Sequence, residues 1–308
     1  MKKTLATLAI SVAASNFGRS TESSPAQITV TIDDATAEIS PLIYGQFIEH
    51  LGRAIYGGIY DEDSPLSDRN GFRKDVLEKI RNLNTPLFRY PGGTVTKIYH
   101  WEDGIGPKDE RPVRRNLIWG GEDSNRFGTD EFMAYSDSIG AEPFLAVNMS
   151  TGTAEEASYW VEYCNADGNS YYANFRRANG HAAPYNVKYW GLGNEEAAEP
   201  DAGVLQDPND YVEKAWYYAK LMKLQDPNIE FIMVGHDEHW NQTILEGLDP
   251  IADYLSLHLY ASSQGDSPYS LFASVASMEE KVKTTAAQIK TLTPATPEPL
   301  SKWYRFPG

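Results

Sequence analysis

The chain has 308 residues, enough for one large domain or two ordinary ones and for a substantial core. Hydrophobic residues make up 41% and charged residues 23%, proportions that fit a soluble globular protein and exclude a disordered or membrane-embedded one. The formal charge of −16 repels phosphate backbones and argues against nucleic acid as a partner. Taken in chain order, MKKTLATLAISVAASNFGRS carries Lys2 and Lys3 ahead of an apolar run from Leu5 to Ala14, with small residues of the cleavage-site type. It reads as a signal peptide over 1–15, too short to span a membrane, and predicts a secreted or periplasmic protein, with a cytoplasmic one as the alternative. Residues 16–38 read as a polar linker and a lone strand, QITVTID. No other segment is apolar enough for a membrane span.

From Ile39 onward, short apolar runs alternate with helical patterns. ISPLIYGQFIEH is the first strand candidate. GFRKDVLEKIRNLN follows, with Phe72, Val76, Ile80 and Leu83 on one helical face. TPLFRYPGG is the second strand, stopped by Pro91 and the glycine pair. A long polar, Gly-rich loop leads to the helix DEFMAYSDSIG and the third strand, AEPFLAVNMS. Thr153 and Glu156 have capping-box spacing at the start of TAEEASYWVEYCN. The single cysteine, Cys164, allows no intrachain disulfide and reads as a small apolar filler on that helix. VKYWGLGNE is the fourth strand. Asp207 and Pro208 mark the N-cap and first position of DPNDYVEKAWYYAKLMKLQ. IEFIMVGHD, the helix HWNQTILEGL, the strand ADYLSLHLYA and a helix through LFASVASMEEKVKTTAAQIKTL complete the series.

Six β-then-α units with apolar strands imply a parallel α/β sheet. No Gly-x-Gly-x-x-Gly follows the first strand, so a dinucleotide-binding sheet is not supported. A (β/α)8 barrel of the TIM type fits better, with its first six units over residues 39–292. Two units are missing at the C-terminus. The tail, residues 293–308, holds Pro294, Pro297 and Pro299 and cannot form a central strand.

Catalytic groups of such barrels stand at the C-terminal ends of strands. Those ends carry Glu49 and His50, Arg89 and Tyr90, Asn148, Asn194 to Glu196, His236 to Glu238, and His258 with Tyr260. Acids, amides and aromatics on one rim suit sugar recognition, because carboxylates and amides hold hydroxyls while aromatic faces cover ring carbons. The 7 Trp and 19 Tyr fit either such a surface or an aromatic core. Glu195 is the sharpest catalytic candidate. Beside an apolar strand its pKa is expected to rise, leaving a proton for a leaving oxygen. Asn194 is placed to hold a sugar hydroxyl next to it.

YGQFIEHLGRAIYGGIY, LFRYPGG, YHWEDGIGP, NRFGTDEFM, GAEPFLAVN, EEASYWVEYCN, NGHAAPYNVKYWGLGNE and DYLSLHLY together resemble glycoside hydrolase family 51, the α-L-arabinofuranosidases. The resemblance runs from the first barrel strand through the sixth. It implies a (β/α)8 barrel with a C-terminal β-sandwich, which is missing here. It implies a retaining glycosidase that removes terminal α-L-arabinofuranosyl residues from arabinan- or arabinoxylan-type poly- and oligosaccharides, without metal or other cofactor, and in a family that often forms oligomers. Glu195 matches the general acid/base. Asn194, Glu49, Trp119 and Tyr260 match residues around the sugar. Thr94 stands where the family usually has a substrate-binding asparagine, exchanging an amide's paired donor and acceptor for one hydroxyl.

The resemblance also implies a nucleophilic glutamate at the end of a seventh strand, and this sequence shows none there. Glu298, between Pro297 and Pro299, lies in a segment unlike the family and is not assigned the role. Impaired hydrolysis is therefore expected. The alternatives are a non-catalytic sugar-binding remnant or an unstable fragment, and a metal-dependent hydrolase built on HDEH at His236 to His239, which lacks an evident third ligand.

Overall fold

The computed structural model describes residues 39–197, 205–261 and 268–292. The expected signal peptide, the linker with its QITVTID strand, and the proline-rich tail with Glu298 lie outside those residues. The chain divides into two units, Met1–Ile43 and Tyr44–Gly308, and the main sheet belongs to the second.

That sheet has six strands: β1 (Gln46–Phe47), β2 (Leu87–Tyr90), β3 (Glu142–Val147), β4 (Tyr189–Leu192), β5 (Glu230–Val234) and β6 (Tyr254–Ser256). Every neighbouring pair is parallel, and spatial order follows chain order without reversal. This is the winding of a barrel, not of a doubly wound sheet, whose order reverses at a switch point. The architecture is a partial (β/α)8 barrel. The crossovers are α1 (Lys74–Asn82), α2 (Thr129–Ile139), α3 (Ala154–Asn165) with α4 (Tyr171–Ala178), α5 (Pro208–Gln225) and α6 (Glu238–Leu248); α7 (Pro268–Leu292) follows β6. No helix among the described residues is long and apolar enough to cross a membrane.

Several local expectations hold. Asp207 caps α5 by accepting from the Asn209 N–H, with Pro208 in the first turn. Thr153 accepts from the Glu156 N–H, but the reciprocal half of the capping box is absent, because the Glu156 carboxylate is turned to His100 Nδ1 at 3.0 Å. Cys164 is a buried thiol on α3. Other expectations need correction. The first strand shrinks to two exposed residues, because Pro41 opens a 3-10 turn over Pro41–Tyr44 that consumes most of the apolar run. The long loop after β2 holds short 3-10 turns and a two-stranded antiparallel ribbon pairing Arg114–Arg115 with Glu122–Asp123.

The aromatic surplus lies mostly in the core. Trp101 and Trp160 stack at 6.0 Å, and Trp190 meets Trp160 edge-on at 5.7 Å. All three are buried, and each indole N–H finds an oxygen: Glu156 O, Thr129 Oγ1 and Val187 O. Large apolar side chains buried this way each contribute roughly 1.5–3 kcal/mol. Trp190 is on β4, so this stack packs directly against a strand whose C-terminal end carries part of the polar rim.

Candidate active site

Glu49, just past β1, is buried, and its carboxylate is fixed from two sides. Oε1 accepts from the Val95 N–H at 3.1 Å and from Trp119 Nε1 at 2.9 Å. The Pro91-Gly92-Gly93 turn makes this possible. A Cβ on Gly92, at φ +150, would lie 2.3 Å from Glu49 Cγ, and one on Gly93 would lie 3.0 Å from Oε2. Trp119 keeps 46% of its surface exposed. Its loop is pinned by Asn116, whose Oδ1 accepts from the Ile118 and Trp119 N–H groups while Nδ2 donates to His50 O at 2.7 Å. His50 stacks on Tyr99 and places Nε2 2.9 Å from the Tyr90 hydroxyl, so it packs beneath the rim.

Arg89 crosses the centre. Its guanidinium lies 4.9 Å from the Phe47 ring centroid, and Nη1 donates to Asn194 Oδ1 at 3.3 Å. Burial pulls its pKa down, while the charges of Glu49 and Glu195 and the Tyr260 phenol push it back up. An arginine stays protonated throughout. Asn194 is buried, and its Nδ2 has no hydrogen-bond partner among the described residues.

Glu195 follows in a left-handed conformation, φ 50, after Gly193 at φ 88. Its Oε1 lies 2.5 Å from His258 Nδ1. An ionised carboxylate only accepts, so His258 carries its proton on Nδ1. The expectation of a raised Glu195 pKa is overturned. The His258 hydrogen bond, reinforced by the charges of Lys97 and Arg89, holds the carboxyl below the usual glutamate range against the opposing effect of burial. The raised carboxyl is its neighbour. Glu196 is fully buried and pushed up by desolvation, with Oε1 accepting from the Asn194 N–H and Oε2 from Ser150 Oγ.

Glu49, Trp119, Arg89, Asn194, Glu195 and His258 thus form one linked group, with Tyr260 close enough to act on Arg89 and 85% exposed. Asn148 has a different job. Its Oδ1 accepts from the Ser150 and Thr151 N–H groups, and its Nδ2 donates to Tyr99 O, so it shapes the loop after β3. Asp237 caps α6 by accepting from the Trp240 N–H. Among the described residues no group of three or more His, Cys, Asp or Glu side chains is placed to hold a metal ion. Sequence reading put His258 on the rim without a role. The signal was the spacing of His258 and Tyr260, two residues apart and so on one face of an extended segment. Lys97 was missed altogether, a lone lysine inside the run VTKIY.

Comparison with known proteins decides the family. The model of the α-L-arabinofuranosidase 1 domain matches residues 79–280. The chain belongs to glycoside hydrolase family 51. A probable α-L-arabinofuranosidase C from Aspergillus clavatus is 44% identical over 266 residues, covering 82% of this chain and 52% of that protein. An intracellular exo-α-(1→5)-L-arabinofuranosidase from Halalkalibacterium halodurans is 38% identical, covering 84% and 53%. Among solved structures, the Thermotoga petrophila family 51 enzyme superimposes with a TM-score of 0.79 at 48% identity, covering 83% of this chain and 53% of that one. The arabinose complex of the Thermotoga maritima enzyme gives 0.77 at 49% identity, covering 80% and 51%. The chain spans about half the length of the curated relatives it matches.

Proposed function

We propose that this rim is the sugar site of a retaining α-L-arabinofuranosidase that takes terminal arabinofuranosyl residues of arabinan- or arabinoxylan-type carbohydrates. The observation that carries the reading is the buried Asn194 Nδ2, a donor with no partner among the described residues, beside the Glu195 carboxyl. A buried donor of this kind selects a ligand oxygen, because leaving it unmade is costly. In this reading Glu49 accepts from sugar hydroxyls, and Trp119 and Tyr260 cover the ring. Glu195 protonates the departing glycosidic oxygen and then takes a proton from water.

We infer also that hydrolysis by the 308-residue chain is impaired. Glu195 must hold a proton at the start of a retaining cycle, and the His258 hydrogen bond lowers its pKa and so disfavours that protonated form. A second carboxylate about 5 Å away would raise its pKa, and the partner of Glu195 among the described residues is instead His258. The test is hydrolysis of an aryl α-L-arabinofuranoside by the purified chain, with Glu195→Ala as control and arabinose binding followed by calorimetry. The expected result is binding with little turnover. Turnover abolished by Glu195→Ala would retain the acid/base assignment and remove the impairment. Absence of both binding and turnover would remove the arabinofuranosyl site itself. We propose export as well, resting on Lys2, Lys3 and the apolar run from Leu5; N-terminal sequencing of protein recovered outside the cytoplasm checks it.

A further inference from the structure

Lys97 sits in the loop after the Pro91-Gly92-Gly93 turn and is fully buried. Its Nζ donates to the backbone carbonyl of Glu195 at 2.9 Å. Its own carbonyl accepts from the Thr151 N–H at 3.3 Å and from Thr151 Oγ1 at 2.9 Å. One residue therefore ties together the loops that follow β2, β3 and β4. Glu195 needs such a tie. It stands in the left-handed region, where a side chain larger than glycine is strained unless its surroundings hold it there. Glycine would accept that conformation freely but supplies no carboxylate.

We propose that Lys97 is a positioning residue for Glu195: its ammonium fixes the Glu195 carbonyl, and so holds the left-handed turn that presents the Glu195 carboxylate to His258. The inference rests on the acid/base reading of Glu195 for its meaning, but not for its test. Four further groups bear on the same turn: Glu196 accepts from the Asn194 N–H, Arg89 and His258 act on the Glu195 carboxylate, and Lys214, which donates to Met149 O, acts on Glu196 through its charge. Lys97 is the one that holds the Glu195 carbonyl itself, with Nζ donating to it at 2.9 Å.

The test uses the full chain labelled with 13C-glutamate, the Glu195 signals being assigned with Glu195→Gln. Two readouts are followed by NMR: the Glu195 Cα and Cβ shifts, which report the left-handed backbone, and the carboxyl titration. Lys97→Met is expected to lose the left-handed signature and to move the carboxyl titration up toward that of an ordinary glutamate. Lys97→Arg is expected to keep both. A titration that moves while the backbone signature stays would mean that Lys97 acts through charge alone, and would overturn the positioning role, as would no change in either signal. Should Lys97→Met fail to fold, Lys97→Gln, whose stem is too short to bring its amide to the Glu195 carbonyl, is read in the same way, with the same two signals deciding. These outcomes are independent of turnover, so loss of the arabinofuranosidase reading and loss of the positioning role are seen separately.

Discussion

The contact between Glu195 Oε1 and His258 Nδ1 sets the chemistry of the rim. It lowers the Glu195 pKa, and the linkage sign follows. A carboxyl whose folded pKa lies below its unfolded value of about 4.3 stabilises the fold above that value. The stabilisation disappears as pH falls through the folded pKa. In His258→Gln the Glu195 titration should move up, and the melting temperature should drop at neutral pH. The gap between wild type and variant should shrink as pH falls below about 4 and close once it has passed through the folded pKa of Glu195, in a series of thermal melts. A gap independent of pH would locate the effect in packing. At this scale the sequence was partly legible. The Asn-Glu dipeptide at a strand end marked the acid. The direction of its pKa did not show, because that depends on a histidine 63 positions away in sequence. Apolar neighbours suggested burial, and burial does oppose the shift, but a charge-assisted hydrogen bond outweighs it.

Helix α4 shows why some elements escape sequence reading. Between the end of α3 and the start of β4 the chain reads ADGNSYYANFRRANGHAAPYN, and turn-forming residues hide the helix. Its buried anchor is also not apolar. Arg176 is fully buried and donates to the carbonyls of Tyr163, Ala166 and His181. It therefore caps the end of α3 and ties α4 to it. Arg176→Met keeps the stem but strands three carbonyls, and should cost about 3 kcal/mol in denaturant unfolding. A loss under about 1 kcal/mol would show that water replaces the guanidinium there. The converse holds at β1, where an apolar run suggests a long strand. Pro41 and the 3-10 turn decided otherwise, and Phe47 was left 56% exposed to cover the Arg89 guanidinium. Helices with marked starts, such as α3 and α5, were legible because their caps are local chemistry.

At the scale of the molecule, the alternation of strands and helices was enough to predict a singly wound barrel, since each unit is written in a contiguous segment. What joins the units was not legible, because register and rim contacts are set between distant segments. Among the described residues β1 and β6 each have a single strand neighbour. Leu271, Phe272, Val275 and Val282 on α7 are exposed as well. Apolar edges of this kind invite association. The chain should self-associate as concentration rises in sedimentation velocity, and Phe272→Lys with Val275→Lys should reduce it; no change on substitution would clear α7 of the role. The sheet has one more consequence, for the order in which the molecule assembles. Gln46 pairs with Phe88, Leu87 with Glu142, Phe144 with Tyr189 and Tyr189 with Glu230, so no strand can zip onto its neighbour through a tight hairpin. Every rung of the ladder waits for a whole crossover to collapse, and that entropic delay makes folding slow. The helices must find one another first: pulse-labelled hydrogen exchange should protect amides of α3 and α5 before those of β4, and the turn carrying Glu195 should be among the last parts to set.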